Sequence, residues 1–238
     1  MGCKIKIKGI LFDKDGTLFK YSETWDIWCG LVLERLSNGN KTILEDLAKA
    51  IDFDIQSQKI KPQSMVIACT THEIAECLAS LLPNWSLEAI EEFLNEQVYD
   101  LPLAEVTPLK SYFADLRRRG LKVGIMTNDS EHNAMAQLTS AKLNPFDELD
   151  FVAGYDSGYG AKPAPDPLLA FAKAVGLAPR DVAMVGDSLH DLMAGKRAGM
   201  KTIGVLTGPA TQADLSPMAD VVLPDISNIL TFLFDEVD

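Results

Sequence analysis

The sequence predicts an α/β fold, in which a parallel sheet carries helices on both faces. Short apolar segments alternate with helical patterns across residues 103–238, and this alternation is typical of parallel strands joined by helices. An earlier apolar segment, residues 5–12, ends at two carboxylates, Asp13 and Asp15. Residues 21–102, between these two regions, show apolar side chains at helical spacing. We therefore expect a sheet whose chain is interrupted early by a helical insertion.

The first strand is predicted over residues 5–12. Its apolar residues alternate with lysines and then form a continuous run up to Phe12, as in strands that are covered on both faces. Side chains two positions apart on a strand share a face, so Asp13 and Asp15 are expected to point into the same space. Asp and Gly also favour turns, so this segment alone is equally compatible with a plain turn.

The insertion is predicted to be an all-helical subdomain. Its apolar residues recur three or four positions apart, and a Ser or Thr able to cap a helix N-terminus opens each helical stretch. No segment of the insertion has the pattern of a buried strand. The predicted helices span residues 22–38, 42–51, 71–82 and 87–99.

The later elements alternate regularly between strand and helix, and several of the helices are followed by glycine, a common C-terminal signal. Strands are predicted at 121–126, 151–153, 181–185, 201–205 and 219–223, and helices at 109–119, 130–140, 166–175, 189–198 and 226–234. We expect a Rossmann-like parallel sheet core with helices on both faces. That core comprises residues 1–20 and 103–238, and the helical subdomain comprises residues 21–102.

Composition and charge exclude several classes of partner. The chain has 238 residues, of which 47% are hydrophobic, and a formal net charge of −12. Such a charge argues against binding to nucleic acid or to an anionic membrane, and no apolar run is long enough to span a bilayer. The four cysteines follow no metal-ligand or disulfide pattern, so we expect reduced thiols and a cytoplasmic protein. The sequence does not indicate an oligomeric state.

Polar residues follow four of the predicted strands. The carboxyl ends of parallel strands meet at one edge of a sheet, where ligands bind. We therefore expect these side chains to lie together. They are Asp13, Asp15, Thr127, Asn128, Lys162 and Asp187.

These residue types suit metal and phosphate chemistry. Asp13, the backbone carbonyl of Asp15 and Asp187 could bind Mg²⁺ through oxygen, the ligand that this ion prefers. One carboxylate could attack phosphorus, and the other could protonate the leaving oxygen. Thr127, Asn128 and Lys162 could hold the phosphate.

Each of these segments also has a simpler interpretation when it is taken alone. The segment from Thr127 to Ser130 could be only a helix cap. Lys162 could be a solvated loop residue, and the segment from Gly186 to Ser188 could be a turn followed by a cap.

Taken together and in this order, the residues resemble the haloacid dehalogenase superfamily of phosphatases. Four motifs carry the resemblance: Asp13-Lys14-Asp15-Gly16-Thr17, Thr127-Asn128, Lys162-Pro163, and Gly186-Asp187-Ser188 with Asp191. The insertion resembles the family's cap of the first type. The segments 154–156 and 162–167 resemble the phosphoglycolate phosphatase branch.

The resemblance implies a role for each matching residue. Asp13 would be the nucleophile and a metal ligand, and Asp15 the general acid and base, with its carbonyl also on the metal. Asp187 would ligate Mg²⁺ directly, with Asp191 completing or orienting its surroundings. Thr127, Asn128 and Lys162 would hold the transferring phosphoryl group. Thr17, Ser188 and Asp191 would support these groups from around the site.

The function implied is a Mg²⁺-dependent phosphatase that hydrolyses a small, phosphoglycolate-like phosphomonoester of metabolism through an aspartyl phosphate. Asp15 favours phosphate-ester chemistry, because the dehalogenases of the superfamily lack an Asp two residues after the nucleophile. Two alternatives remain open at this point. One is a sugar-phosphate mutase resembling β-phosphoglucomutase, and the other is a non-catalytic phospho-switch.

Overall fold

The computed structural model of the protein describes residues 7–97 and 101–234. Within these residues the strands are β1 (Gly9–Phe12), β2 (Phe53–Asp54), β3 (Lys59–Ile60), β4 (Lys122–Met126), β5 (Phe151–Ala153), β6 (Val182–Gly186), β7 (Lys201–Val205) and β8 (Val221–Leu223). The helices are α1 (Tyr21–Ser37), α2 (Lys41–Ala50), α3 (Thr71–Ala79), α4 (Leu87–Glu96), α5 (Leu109–Arg118), α6 (Glu131–Ser140), α7 (Pro145–Glu148), α8 (Asp166–Ala174), α9 (Leu189–Ala198), α10 (Gln212–Leu215) and α11 (Ile229–Phe234).

The main sheet has the strand order β5-β4-β1-β6-β7-β8, and every neighbouring pair in it is parallel. The expected α/β class with a parallel sheet is confirmed. The first strand lies at the centre, between β4 and β6. The residues that follow these three strands are therefore neighbours at one edge of the sheet, although they are far apart in the sequence.

Apolar side chains cover both faces of the sheet because they alternate along the strands. In β1, Ile10 and Phe12 belong to a buried cluster with α5, α6 and α11, whereas Leu11 belongs to the cluster with α8 and α9. Phe12 is fully buried, and its ring lies 6.1 Å from that of Tyr112 and 5.9 Å from that of Phe113. The central strand is thus held by packing from two directions.

The inserted segment, residues 21–102, joins β1 to α5 and has an apolar cluster of its own. Helices α1 to α4 each contribute buried side chains to that cluster, among them Trp28, Leu33, Leu47, Leu78 and Ile90. The spacing that predicted helices here also predicted which residues meet, because positions three or four apart share one helix face.

The inserted segment is not all-helical, so this part of the prediction was wrong. Strands β2 and β3 form a short antiparallel ladder within it. Asp54 Oδ1 accepts hydrogen bonds from the backbone N–H groups of Gln56 (2.9 Å) and Ser57 (3.0 Å). Gln58 adopts a positive φ of 54°. The ladder therefore rests on turn chemistry, and two residues per strand are too few to show alternation.

Several predicted boundaries differ from those of the structure. Helix α2 begins before Thr42, because the side chain of Asn40 accepts from the backbone N–H groups of residues 42 and 43. Helix α1 begins at Tyr21 without a side-chain cap, so Ser22 is not its N-cap. The first strand begins at Gly9, and residues 5 and 6 of its predicted range lie outside the described residues, as does Tyr99 of the fourth predicted helix.

No helix in the described ranges combines the length and apolar character needed to cross a bilayer.

We predict that Phe12→Ala lowers the free energy of unfolding by about 3–5 kcal/mol, because it leaves a cavity against the rings of α5. Urea denaturation followed by circular dichroism measures this change. Phe146, whose side chain is 85% exposed, is the matched control, and Phe146→Ala should change stability by less than about 0.5 kcal/mol. Equal effects of the two substitutions would contradict the packing described for β1.

Candidate active site

The predicted site residues meet around one cavity between the carboxyl edge of the sheet and the inserted segment. Asp13 follows β1, Thr127 follows β4 and Asp187 follows β6. Asp15, Thr127, Asn128, Lys162 and Asp187 all line this cavity together with Asp13. The parallel order of the strands brings these residues together from four separate parts of the chain.

Lys162 connects three elements of the site through its ammonium group. Its Nζ donates to Asp13 Oδ1 (2.5 Å), to Asp191 Oδ1 (2.6 Å) and to the backbone carbonyl of Met126 (3.0 Å). The side chain is almost fully buried. Burial disfavours its charge, but the two carboxylates outweigh burial and raise the pKa of Lys162. The ammonium therefore stays charged within the site, and all three of its protons are used.

Three buried carboxylates lie close to this single ammonium. One oxygen each from Asp13, Asp187 and Asp191 lies within 4.8 Å of the other two. Three negative charges against one positive charge leave an excess of two when all are ionised. Burial raises the pKa of Asp13 to about 7 in spite of Lys162. Burial and the neighbouring carboxylates also raise the pKa of Asp187 well above its usual range.

The three carboxylates differ in how many of their oxygens are already bound. Lys162 binds Oδ1 of Asp191, and the backbone N–H and hydroxyl of Ser188 donate to Oδ2 at 3.1 and 2.6 Å. Asp13 Oδ2 accepts no hydrogen bond from any described residue, and Asp187 accepts one long bond, from Thr17 Oγ1 at 3.5 Å. Asp13 and Asp187 are thus the carboxylates with oxygens free for a cation, and Asp191 orients Lys162.

Helix α9 fixes Asp191 in this position. Ser188 is the N-cap of the helix, and its hydroxyl and the Asp191 carboxylate form a reciprocal capping box. A capping box satisfies two of the free N–H groups at a helix start. The helix cap that was the simpler interpretation of residues 186–188 is therefore present. The Asp191 carboxylate takes part both in this cap and in the site.

Gly16 permits the close packing of the first motif against Asp187. Its φ is +85°, and a Cβ atom there would collide with the Asp187 carboxylate. Thr207 Oγ1 donates to the Gly16 carbonyl (2.5 Å) from the loop after β7. Only glycine combines this φ with the absence of a side chain, so the turn between Asp15 and Thr17 needs it.

One carboxylate oxygen of Asp15 is paired with a lysine, and the other has no hydrogen-bond partner among the described residues. Asp15 Oδ2 lies 2.6 Å from Lys14 Nζ. Its Oδ1 is buried and has no hydrogen-bond partner among the described residues. Because Asp15 also lines the cavity, the free oxygen is available to a bound molecule.

Sequence reasoning missed the group that holds Asp15. Lys14 is completely buried, and its Nζ lies 3.2 Å from Asp129 Oδ2 and contacts Gln137 Oε1. Lys14 was not singled out because a lysine beside acidic residues is usually solvated. The available signal was its place at the end of a strand with apolar side chains on both faces, where neither face is exposed to water.

Asn128 lies in the site, but its side chain is hydrogen-bonded to other groups of the protein. Its amide donates to the carbonyls of Ala68 (2.8 Å) and Lys162 (2.9 Å) and accepts from the Lys162 N–H (2.9 Å). Its side chain therefore joins the inserted segment to the Lys162 loop. Thr127 is buried beside it, and its hydroxyl oxygen accepts from the Asp129 N–H (3.1 Å), which leaves the hydroxyl proton for another acceptor.

Together these groups can bind a cation and a phosphoryl group side by side. Asp13 has a free oxygen next to a buried ammonium, and Asp187 lies opposite with little hydrogen bonding of its own. Asp15 offers a second, separate carboxylate to the same cavity. A free carboxylate oxygen beside cationic groups is the arrangement needed for attack on a phosphorus centre.

Comparison with known proteins agrees with this geometry. The family of haloacid dehalogenase-like hydrolases matches residues 7–199. Pyrophosphatase PpaX from Bacillus mycoides is 29% identical over 234 residues, which cover 96% of this chain and 98% of that protein. The resemblance carried by the four motifs is therefore confirmed at the level of the family.

Solved structures share the fold at low sequence identity. A predicted phosphoglycolate phosphatase from Haemophilus somnus superposes with a TM-score of 0.70 at 17% identity, covering 97% of this chain and 99% of that one. β-Phosphoglucomutase from Clostridium difficile gives 0.66 at 19% identity, with coverages of 95% and 94%. Since the family match spans most of the chain, the protein belongs to the haloacid dehalogenase-like hydrolases and is a phosphatase of that family.

Proposed function

We propose that this enzyme is a Mg²⁺-dependent phosphatase that hydrolyses a small phosphomonoester through an aspartyl phosphate on Asp13. The observation that carries the proposal is the Asp13 carboxylate, which lines the cavity with Oδ1 held by Lys162 and Oδ2 free of hydrogen bonds from the described residues. One oxygen is thus available for attack, and the other is fixed in place.

The residues at the site fit a divalent cation. Three buried carboxylates share one ammonium, and the excess of negative charge calls for a cation of charge two. Oxygen ligands from carboxylates suit Mg²⁺. We propose that Asp13, Asp187 and the Asp15 backbone carbonyl hold it. When bound, Mg²⁺ offsets the repulsion between the carboxylates and an incoming phosphate dianion.

In the first step, the Asp13 carboxylate forms a bond to phosphorus as the ester P–O bond breaks. Asp15 gives its proton to the departing oxygen, so the alcohol leaves uncharged. The Thr127 hydroxyl and the backbone N–H of Asn128 hold oxygens of the phosphoryl group, because the Asn128 side chain is otherwise bound. Lys162 acts as a fixed positive charge beside that group, since its three protons stay on protein acceptors.

In the second step, the Asp15 carboxylate takes a proton from water as the water oxygen attacks phosphorus. The bond between phosphorus and Asp13 breaks, inorganic phosphate leaves, and both carboxylates return to their starting states. The free Oδ1 of Asp15 is the atom that moves the proton in each step, because Lys14 occupies the other oxygen.

We propose that residues 21–102 act as a cap over a core of residues 1–20 and 103–238. The side-chain amide of Asn128 and His190 Nδ1 both meet the Ala68 carbonyl, at 2.8 and 3.2 Å. Tyr155 Oη donates to Glu91 Oε1 at 2.5 Å. Such contacts support a cap that closes over the substrate and excludes bulk water during the reaction.

The described cysteines, Cys29, Cys69 and Cys77, are free thiols. Free thiols are the usual state in a reducing compartment. This supports the cytoplasm as the place where the enzyme works, which we include in the proposal.

We predict that Asp13→Asn abolishes the release of inorganic phosphate from phosphate monoesters, because the amide cannot form the covalent intermediate. The fold should persist, since the substitution removes one charge from an acidic cluster. Phosphate release and circular dichroism test the two statements. Asp46→Asn, on the exposed face of α2, is the control and should keep full activity. Metal-dependent phosphate release by Asp13→Asn would disprove the role of Asp13 as nucleophile. If the wild-type enzyme transfers the phosphoryl group without releasing inorganic phosphate, the enzyme is a mutase.

We predict that Asp15→Asn slows the turnover of an alkyl phosphate by about 10²- to 10⁴-fold, because the alkoxide then leaves without a proton. With p-nitrophenyl phosphate, whose leaving group needs no proton, the variant should give a burst of one p-nitrophenol per enzyme and then stall. Stopped-flow absorbance measures the burst. Equal loss for both esters, without a burst, would contradict the role of Asp15 in proton transfer.

We predict that Mg²⁺ stabilises the folded protein by about 2.7 kcal/mol at a concentration 100 times its dissociation constant. Asp187→Asn should lose this stabilisation, because it removes the carboxylate of the cluster whose one hydrogen bond is the longest, at 3.5 Å. Thermal unfolding with and without Mg²⁺ measures the effect independently of activity, with Asp46→Asn again as control. An unchanged response to Mg²⁺ in Asp187→Asn would place the ion elsewhere.

A further inference from the structure

The inserted segment supplies one wall of the cavity, which is mainly aromatic and apolar and includes Cys69 and Thr71. Tyr21, Trp25 and Trp28 of α1 line it, together with Val66 and Ile74. The Trp25 ring stacks near Tyr21, with ring centres 6.4 Å apart, and meets Trp28 edge-on at 5.2 Å. This wall is where the alcohol part of a phosphate ester would lie, because Asp13 and Lys162, which belong to the edge of the sheet, take the phosphoryl group.

Two hydrogen-bond donors in this wall lack partners. Tyr21 and Trp25 are 4% and 8% exposed, and neither the Tyr21 hydroxyl nor Trp25 Nε1 has a partner among the described residues. Trp28 differs, since its Nε1 donates to the Leu94 carbonyl at 3.4 Å. A buried donor without an acceptor costs free energy, so two of them beside a cavity point to acceptor oxygens on a bound molecule.

The wall carries no positive charge. Among the described residues, the inserted segment adds no lysine or arginine to the lining of the cavity. Lys162 has all three protons on protein acceptors, and Lys59 of the inserted segment pairs with Asp26. A carboxylate or second phosphate on the leaving group would therefore be buried near Asp13, Asp15 and Asp187 with no lysine or arginine free to pair with it. His190 also lines the cavity, and its Nδ1 already contacts the Ala68 carbonyl.

Burial, together with Cys29, Asp15 and Asp187, also raises the pKa of Tyr21 well above its usual value. The Tyr21 hydroxyl thus keeps its proton and acts as a donor. A neutral acceptor such as a hydroxyl or ether oxygen suits it, and the surrounding rings suit the apolar face of the same molecule.

We propose, on the basis of the function proposed above, that the substrate is the monophosphate of an uncharged, hydroxyl-bearing alcohol, and that Tyr21 and Trp25 determine this specificity. The two donors bind oxygens of the alcohol, and the aromatic wall packs against its carbon skeleton. This proposal departs from the phosphoglycolate-like substrate implied by the sequence resemblance, because a glycolate carboxylate would have no cation in the wall.

Three-carbon esters test the proposal with matched size. Glycerol 1-phosphate has neutral hydroxyls, propyl phosphate has none, and 3-phosphoglycerate has a carboxylate. With Mg²⁺ present, we expect kcat/KM for glycerol 1-phosphate to exceed that for each of the others by about tenfold or more, as expected when one or two hydrogen bonds or an unpaired charge separate two substrates. Phosphoglycolate and pyrophosphate should be as poor as 3-phosphoglycerate.

Conservative variants assign the effect to the two donors. Tyr21→Phe and Trp25→Phe should each lower kcat/KM for glycerol 1-phosphate by about three- to tenfold, mainly through KM. Both should lower the ratio of kcat/KM for glycerol 1-phosphate to that for propyl phosphate by about threefold or more, because propyl phosphate makes no hydrogen bond to lose. Trp28→Phe is the matched control, since the Trp28 N–H already has a partner, and it should not change the ratio of the two substrates.

The outcomes separate this proposal from the phosphatase function on which it rests. If 3-phosphoglycerate, phosphoglycolate or pyrophosphate is the best substrate and Asp13→Asn abolishes its turnover, the enzyme is a phosphatase and the proposed specificity is wrong. An unchanged ratio of glycerol 1-phosphate to propyl phosphate in both variants also overturns it. If no ester is hydrolysed above the rate of Asp13→Asn, the phosphatase function itself fails, and the substrate class fails with it.

Discussion

The site depends on one ammonium group that joins three parts of the sheet edge. Lys162 reaches Asp13 after β1, the last carbonyl of β4, and Asp191 in the first turn of α9. Burying this charge is favourable only because carboxylates surround it. The carboxylates in turn outnumber it, so the edge of the sheet keeps a negative excess that a cation and a phosphate can share. The strand order, the capping box of α9 and the Gly16 turn all serve to bring these charges together.

The same edge is covered by the inserted segment through directional polar contacts. The Ala68 carbonyl accepts from Asn128, Tyr155 donates to Glu91, and the amide of Asn133 donates to Asn95 (3.0 Å). Each of these bonds joins the inserted segment to the sheet domain, and each is weaker than the apolar packing within either part. Opening of the proposed cap would break these bonds and leave the apolar packing within each part intact.

The sequence predicts best where topology alone determines proximity. Asp13, Lys162 and Asp187 could be assigned because parallel strands deliver their ends to one edge. Lys14 and Asp129 could not, since a buried ion pair across two elements leaves no periodic signal. The helical spacing of residues 22–38 predicts a buried face, and only the structure distinguishes a partnered indole such as that of Trp28 from an unpartnered one such as that of Trp25. The ladder of β2 and β3 was missed because turn hydrogen bonds at Asp54 create it.

The burial of Lys14 has a consequence for how this site can change over time. Its ammonium serves Asp15 and Asp129 together and lies 5.7 Å from the centre of the Trp25 ring in the inserted segment. Replacement of Lys14 alone would leave the buried carboxylates of Asp15 and Asp129 without a cation. Replacement of Lys14 together with Asp129 would also remove the repulsion between Asp129 and Asp15. Positions 14 and 129 are therefore expected to diverge as a pair. A lineage that changed both would acquire a different neighbour for Trp25, so a change in the core would also alter the surface that receives the substrate.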